Sequence, residues 1–396
     1  WTGTFTPTLN TEDATNTLSL GTSYTDTAGN TGAAATTANY EVETRAPTIS
    51  GVAISATGVQ NDFVNAGDVV SVTATFSESV IVDNGTPTLT LILGSVNRSA
   101  TYVSGSGSRP LVFQYTIQTG DNDSNGISIG TDALDLDNAT IRDAAGNDAT
   151  LTHSSVDNNS GYKVDAILPT IDSVEIDNAT TGMLNNFLNA SDAAGSDVVS
   201  ATVTFSELVN VTGTPQLTLA IGSDNETANY ASGTGSPELV FKYTIQAGDN
   251  DTDGISFGAD AIDLDNGTIS DPAGNNAILD HDPVPSNPSF MVDTEAPRVN
   301  NFTLDNETGI DDLVLLIGET ATINLVFSEK VCVVPSECRT NVFADDDITH
   351  PNGTLTTTMT SSDNKTWNGT FTPTPNLDFY VSDDAGVDNN TLSLRG

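Results

Sequence analysis

Cations are what this chain lacks most: 11 Lys and Arg face 53 Asp and Glu across 396 residues, a formal net charge of −42. A field of that sign repels phosphate backbones and excludes nucleic acid as a partner. Anionic membranes are poor partners for the same reason, unless a divalent cation bridges the two surfaces. No apolar run approaches the roughly 18 residues of a membrane span, so direct insertion is not expected. Three His, two Cys and three Met leave little material for catalysis. There is no Gly-x-Ser-x-Gly elbow, paired-His metal motif or phosphate loop, and His153, His281 and His350 stand apart in turn-rich segments. Paired carboxylates are too common here to signal glycosidase chemistry. No enzyme is expected. Aromatics make up only 6% of the chain, which argues against a sugar-binding platform; Trp1 and Trp367 occupy equivalent repeat positions and read as core or strand residues. With no initiator Met and no leader pattern before Trp1, the chain reads as a piece or processed product of a longer one.

High charge with 37% hydrophobic residues is also the composition of disorder, but the apolar residues are patterned. Val70, Val72, Ala74 and Phe76 alternate with Ser71, Thr73 and Thr75. Ala201, Val203 and Phe205 do the same, as do Ala321, Ile323, Leu325 and Phe327. Period two in Val-, Thr- and Phe-rich stretches marks half-buried strands, and no 3.6-residue period competes. The expected fold is all-β.

Internal repetition sets the organisation. Phe113-Gln-Tyr-Thr-Ile-Gln-Thr-Gly-Asp-Asn-Asp123 returns 128 residues later as Phe241-Lys-Tyr-Thr-Ile-Gln-Ala-Gly-Asp-Asn-Asp251. Tyr102–Ser108 matches Tyr230–Ser236, and Asp143-Ala-Ala-Gly-Asn147 matches Asp271-Pro-Ala-Gly-Asn275, at the same offset. These are two copies of a type A module, the second with an insertion around Gly182–Ser196. A type B module is divided: Trp367-Asn-Gly-Thr-Phe-Thr-Pro-Thr374 repeats Trp1–Thr8, and Thr391–Leu394 repeats Thr17–Leu20. Linkers ending in Pro47, Pro169 and Pro297 stiffen the joints, because Pro fixes its own φ and extends its predecessor. Four segments follow: 1–45 (the C-terminal half of a B module), 46–165 and 166–293 (type A), and 294–396 (the N-terminal part of a B module). Their length and regular turn signals fit tandem β-sandwich modules in an elongated array.

One metal reading comes from spacing alone. Residues 249–260 place acidic oxygens at Asp249, Asp251, Asp253 and Asp260 around Gly254, and the first copy places Asp121, Asp123, Asn125 and Asp132 around Gly126. Hard oxygen ligands at such intervals suit Ca²⁺. A bare turn, with Asp, Asn and Gly supplying tight backbone geometry, explains the same residues. Cys332 and Cys338, five residues apart around Pro335, are expected to form a disulfide. Asn-x-Ser/Thr sequons number 17 among 37 Asn, including Asn97, Asn138, Asn178, Asn225, Asn306, Asn352 and Asn368. They read as glycosylation sites or as a consequence of turn composition.

Phe76-Ser-Glu78, Phe205-Ser-Glu207 and Phe327-Ser-Glu329, the two Gly-Thr-Pro-x-Leu-Thr-Leu strings, Gly-Asp-Asn-Asp and Asp-x-Ala-Gly-Asn together resemble bacterial immunoglobulin-like repeats. Such repeats build large surface adhesins, and similar modules occur in archaeal surface-layer proteins. The resemblance covers nearly the whole chain; Asp378–Asp388 departs from the first B copy. It implies an extracellular, cell-surface location. By analogy with cadherin-like stalks it also implies ions at the joints, where Glu43, Asp165, Asp293 and Glu295 lie beside Asp26, Asp143 and Asp271. Local capping of the turns by those Asp residues is the alternative, and Arg45 counts against an ion at the first linker.

The function expected is a Ca²⁺-stabilised adhesin stalk or surface fibre. A surface-layer or sheath lattice is the alternative, and a carbohydrate-binding module a weaker one. The B halves are complementary, residues 1–45 supplying Leu18, Leu20, Tyr24, Tyr40 and Val42 and residues 294–396 supplying Ile323, Leu325 and Phe327. Copies are therefore expected to join head to tail, by covalent continuation or by strand donation between subunits.

Overall fold

The computed structural model describes residues 2–177, 180–190, 196–306, 315, 318–333, 342–351, 353–374 and 393–394. They form two compact units: one comprises residues up to Thr170 with Glu207–Asn210 and Ile269–Ile278, the other Ile171–Ser206, Val211–Thr268 and Leu279 onward. Among the described residues the one helical segment is a single 3₁₀ turn at Asp345–Asp347. The chain is all-β.

In the first A module the period-two stretch becomes the strand Val69–Asp83, with Val70, Val72 and Ala74 fully buried and Phe76 nearly so. It pairs antiparallel with Ile49–Thr57 on one side and Ser108–Thr116 on the other, so that Ile54, Val72 and Phe113 stand in one row. That sheet continues through Val96–Ser104, Thr88–Leu93 and Leu134–Asp135, and Thr140–Arg142 pairs with the far end of the long strand. A smaller sheet of Asn122–Asp123, Lys163–Asp165 and Phe63–Val64 carries Val64 and Val164 into the same core. Each fully buried Leu, Val or Phe contributes about 1.5–3 kcal/mol through removal from water. That is the gain that orders so acidic a chain.

The second A module repeats the arrangement. Val198–Thr212 pairs with Ile171–Ile176 and Ser236–Thr244, and the sheet runs on through Asp224–Ser232, Gln216–Ile221 and Ile262–Asp263. Phe187–Leu188, Met291–Asp293 and Asn250–Asp251 make its small sheet. Both modules are Ig-like β-sandwiches.

In the last segment Val299–Asn306, Ala321–Phe327, Thr366–Pro373 and Gly353–Thr360 form a four-stranded sheet in that order. Trp367 stands opposite Leu325, and its ring meets Phe343 edge-on at 4.9 Å. It is a core residue, as its repeat position implied; Trp1 lies outside the described residues. In residues 2–45 the pairs are Glu12–Asn16 with Tyr40–Glu43 and Ser19–Leu20 with Ala35–Thr36. Phe5, Leu9, Leu18, Leu20 and Tyr24 remain exposed there.

Candidate metal centre

The spacing-based metal loops take a different form from the cage their sequence suggested. Asp123 Oδ1 accepts the backbone N–H groups of Asn125 and Gly126, and Asp251 Oδ1 accepts those of Asp253 and Gly254. Asp251 Oδ2 takes the Gly222 N–H. Asp132 and Asp260 accept the N–H of His153 and His281, whose Nε2 atoms in turn accept from Ala133 and Ala261. Asp253 meets the Ser286 hydroxyl at 3.3 Å. Asp121 is enclosed by the Arg98 guanidinium, the Tyr115 hydroxyl and the Gln118 N–H. Burial raises its proton affinity, yet those donors outweigh burial and hold its carboxyl below the ordinary range, while Tyr115 is pushed up to about 12 by burial and by Asp121. These acids fasten backbone turns, and among the described residues they form no group of three within ligand reach.

Glycine at the sixth loop position has a steric cause. Gly126 and Gly254 both sit at φ +99°, and a Cβ there would lie 2.0 Å from the carbonyl oxygens of Asn159 and Asn287. Only Gly permits both the left-handed backbone and the close approach.

The module starts tell a different story. Asp165, Glu207 and Asp271 bring one carboxylate oxygen each within 4.8 Å of one another, the one such group among the described residues. Asp165 ends the strand Lys163–Asp165, Glu207 lies within Val198–Thr212 just past the core Phe205, and Asp271 opens the Asp-x-Ala-Gly-Asn turn. Asp271 is 2% exposed. Its Oδ1 accepts the Asn275 N–H at 2.9 Å and its Oδ2 the Asn275 amide at 2.7 Å. That amide also donates to the Asp165 carbonyl at 2.8 Å, tying turn to linker. Burial pushes the Glu207 carboxyl up, and Asp165 and Asp271 push it further. Asp165 is raised by burial first and by Asp271 as well, against the Ile167 N–H. Three acids with hard oxygens and no cationic side chain among these influences suit Ca²⁺.

The same triad recurs with variations. Glu43, Glu78 and Asp143 stand around the first module start, where burial and then Glu43, Asp143 and Glu12 raise Glu78 while Arg45 opposes them. Asn147 is clasped by Asp143 and reaches the Glu43 carbonyl at 3.4 Å. At the last segment Glu329 is raised by burial and then by Asp293, with Glu295 adding to it. The glutamate of each Phe-Ser-Glu was quoted as a family mark rather than as a ligand. Strand parity was the available signal: two positions past an inward Phe, a Glu shares its face.

Cys332 is disulfide-bonded, and Cys338 lies outside the described residues. Asn97, Asn138, Asn225 and Asn368 are exposed; Asn306 ends the strand Val299–Asn306, and Asn178 and Asn352 lie outside the described residues.

Residues 303–390 match the family model of a bacterial Ig-like domain. The resemblance carried by Phe-Ser-Glu and its companions is thereby shown for the last segment. That domain type is non-catalytic, typically belongs to extracellular proteins, and marks a structural or surface repeat. No curated protein matches the chain. Among the described residues no helix is long and apolar enough to cross a membrane.

Proposed function

We propose that this chain is a repeat segment of an extracellular surface stalk or fibre, with Ca²⁺ bound by Asp165, Glu207 and Asp271. The convergence of those three carboxylates within 4.8 Å carries the reading. The cation would tie the residue closing one A repeat to two residues of the next, relieving the mutual repulsion that raises Glu207. Each module buries its own core, so the stalk lengthens by repetition without a new fold.

Calorimetry of Ca²⁺ added to the chelator-treated chain tests this, with Glu207→Gln alongside. Heat from the parent chain, reduced at least about tenfold in affinity by the substitution, is expected for one lost carboxylate ligand. Equal binding by both sinks the assignment. The lattice reading draws on the exposed sequons Asn97, Asn138, Asn225 and Asn368 and the net charge of −42; sheets in micrographs after Ca²⁺ is restored would favour it over isolated rods.

A further inference from the structure

The Asp-x-Ala-Gly-Asn turn occurs three times, and its surroundings differ in an informative way. At Asp271–Asn275 the turn is covered. Asn61 and Asn65 donate side-chain amides to the carbonyls of Pro272 and Ala273 at 2.9 and 3.0 Å, the Gln60 amide lies against Gly274, and Asn275 holds the Asp165 carbonyl. Ala273 is 1% exposed as a result. At Asp26–Asn30 the internal clasp is identical: Asp26 Oδ1 accepts Ala28 and Asn30 N–H, and Oδ2 the Asn30 amide. Yet Ala28, the counterpart of Ala273, is exposed. Tyr24 is 44% exposed, whereas Ile141 and Ile269 at the same place before their turns are 2% exposed. Ala145 of the middle turn is exposed too, and no loop like Gln60–Asn65 precedes it within residues 2–45.

We propose that Asp26–Asn30 is a docking face for a second copy of this chain. It takes the Leu184–Asn189 loop and Asp293 linker of that copy as Asp271–Asn275 takes Gln60–Asn65 and Asp165. The loop has the right form. Asn185, Asn186, Phe187 and Asn189 align with Asn61, Asp62, Phe63 and Asn65, Asn61 and Asn185 share left-handed φ of 52° and 51°, and each loop closes by the same bridge, Gln60 with Phe63 and Leu184 with Phe187. Ile141 is covered by Val82, six residues past Phe76; the same step from Phe327 reaches Val333, so Tyr24 would lie beside Val331–Val333 of the second copy. Residues 1–20 repeat Trp367–Thr374 and Thr391–Leu394, which that copy already carries, so residues 21–45 are the part that completes it. The two faces differ, so the contact is heterologous and extends into an open series.

Sedimentation of the full chain tests this, with Ala28→Arg blocking the turn face and Asn185→Asp removing the amide while keeping a residue tolerant of left-handed backbone. The parent should form a concentration-dependent series of multiples of 41.1 kDa. Each variant alone should stay single at concentrations about tenfold higher, the loss expected for one bond or one blocked contact. An equal mixture should form dimers and stop, because one intact face of each kind remains; that outcome also shows both variants folded. A parent that stays single, an Ala28→Arg chain that associates like the parent, or a mixture that stays single or grows past dimers overturns the proposal. Repeating the series with chelator separates this contact from the Ca²⁺ reading: association that persists without Ca²⁺ supports docking through the turn alone, and association lost in every chain without Ca²⁺ overturns docking that is independent of the cation.

Discussion

Arg98 and Glu226 occupy one position of the A repeat, 128 residues apart, and the difference between them reorganises the acid beside each. Asp121 receives two guanidinium N–H groups and a tyrosine hydroxyl; Asp249 shares the Tyr243 hydroxyl with Glu226. One hydroxyl proton serves only one of two carboxylates, and burial with both acids drives Tyr243 upward. Asp121→Ala leaves an arginine, a hydroxyl and a backbone N–H without their acceptor, so a loss on the order of 2–4 kcal/mol is expected in urea unfolding. Asp249→Ala should cost clearly less, because Tyr243 keeps Glu226 and a like-charge contact disappears. Equal losses would contradict this account. The joint acids titrate in the opposite sense to a salt-bridged Asp. Glu207 and Asp165 bind protons more tightly folded than unfolded. Their contribution is therefore full below the ordinary carboxylate range and is lost as pH rises through their raised values. In chelator the melting temperature should fall across that window, and Ca²⁺ should flatten the decline; a rise in chelator would rule out the crowding.

Turns are the elements where this chain is most exacting. Gly254→Ala forces a Cβ toward the Asn287 carbonyl at a φ that L-residues avoid, and should destabilise by at least about 2 kcal/mol in denaturant unfolding. Gly258, with open space around its Cα, supplies the control: its Ala variant should melt as the parent does. The hairpin turn at Ser361–Thr366 depends on Asp363, which accepts the N–H groups of Lys365 and Thr366 and is held at about 2. The turn is thus intact above the ordinary Asp range and loosens as pH falls toward that value, a midpoint that carboxyl NMR titration reads directly.

At the scale of the whole molecule, a net charge of −42 over 396 residues opposes every compact state through self-repulsion. Added NaCl screens that repulsion over a Debye length of about 8 Å near 0.15 M. Melting temperatures should therefore climb with salt even in chelator, while the Ca²⁺ increment should be confined to the unit holding Asp165, Glu207 and Asp271. A calcium effect of equal size in the other unit would point to unspecific screening.

Much of this was legible in the residue order. Alternation at Val70–Phe76 and Ala201–Phe205 dictates strands because a one-residue slip would turn the whole apolar row to water. The 128-residue repeat dictates that whatever the first A module does, the second does again. What sequence left open was which of two metal readings the acids serve, since both have oxygen ligands and suitable neighbours. Asp249, Asp251 and Asp253 are close along the chain, but alternate directions and nearby backbone N–H groups turn their carboxylates into turn fasteners. Asp165, Glu207 and Asp271 lie 42 and 64 residues apart, and only strand pairing and the Asn275 clasp bring them together. Local order determines where strands and turns fall, because dihedral preference and side-chain parity are local; which charges meet is decided by tertiary structure, because Coulomb energy depends on distance in space and not along the chain.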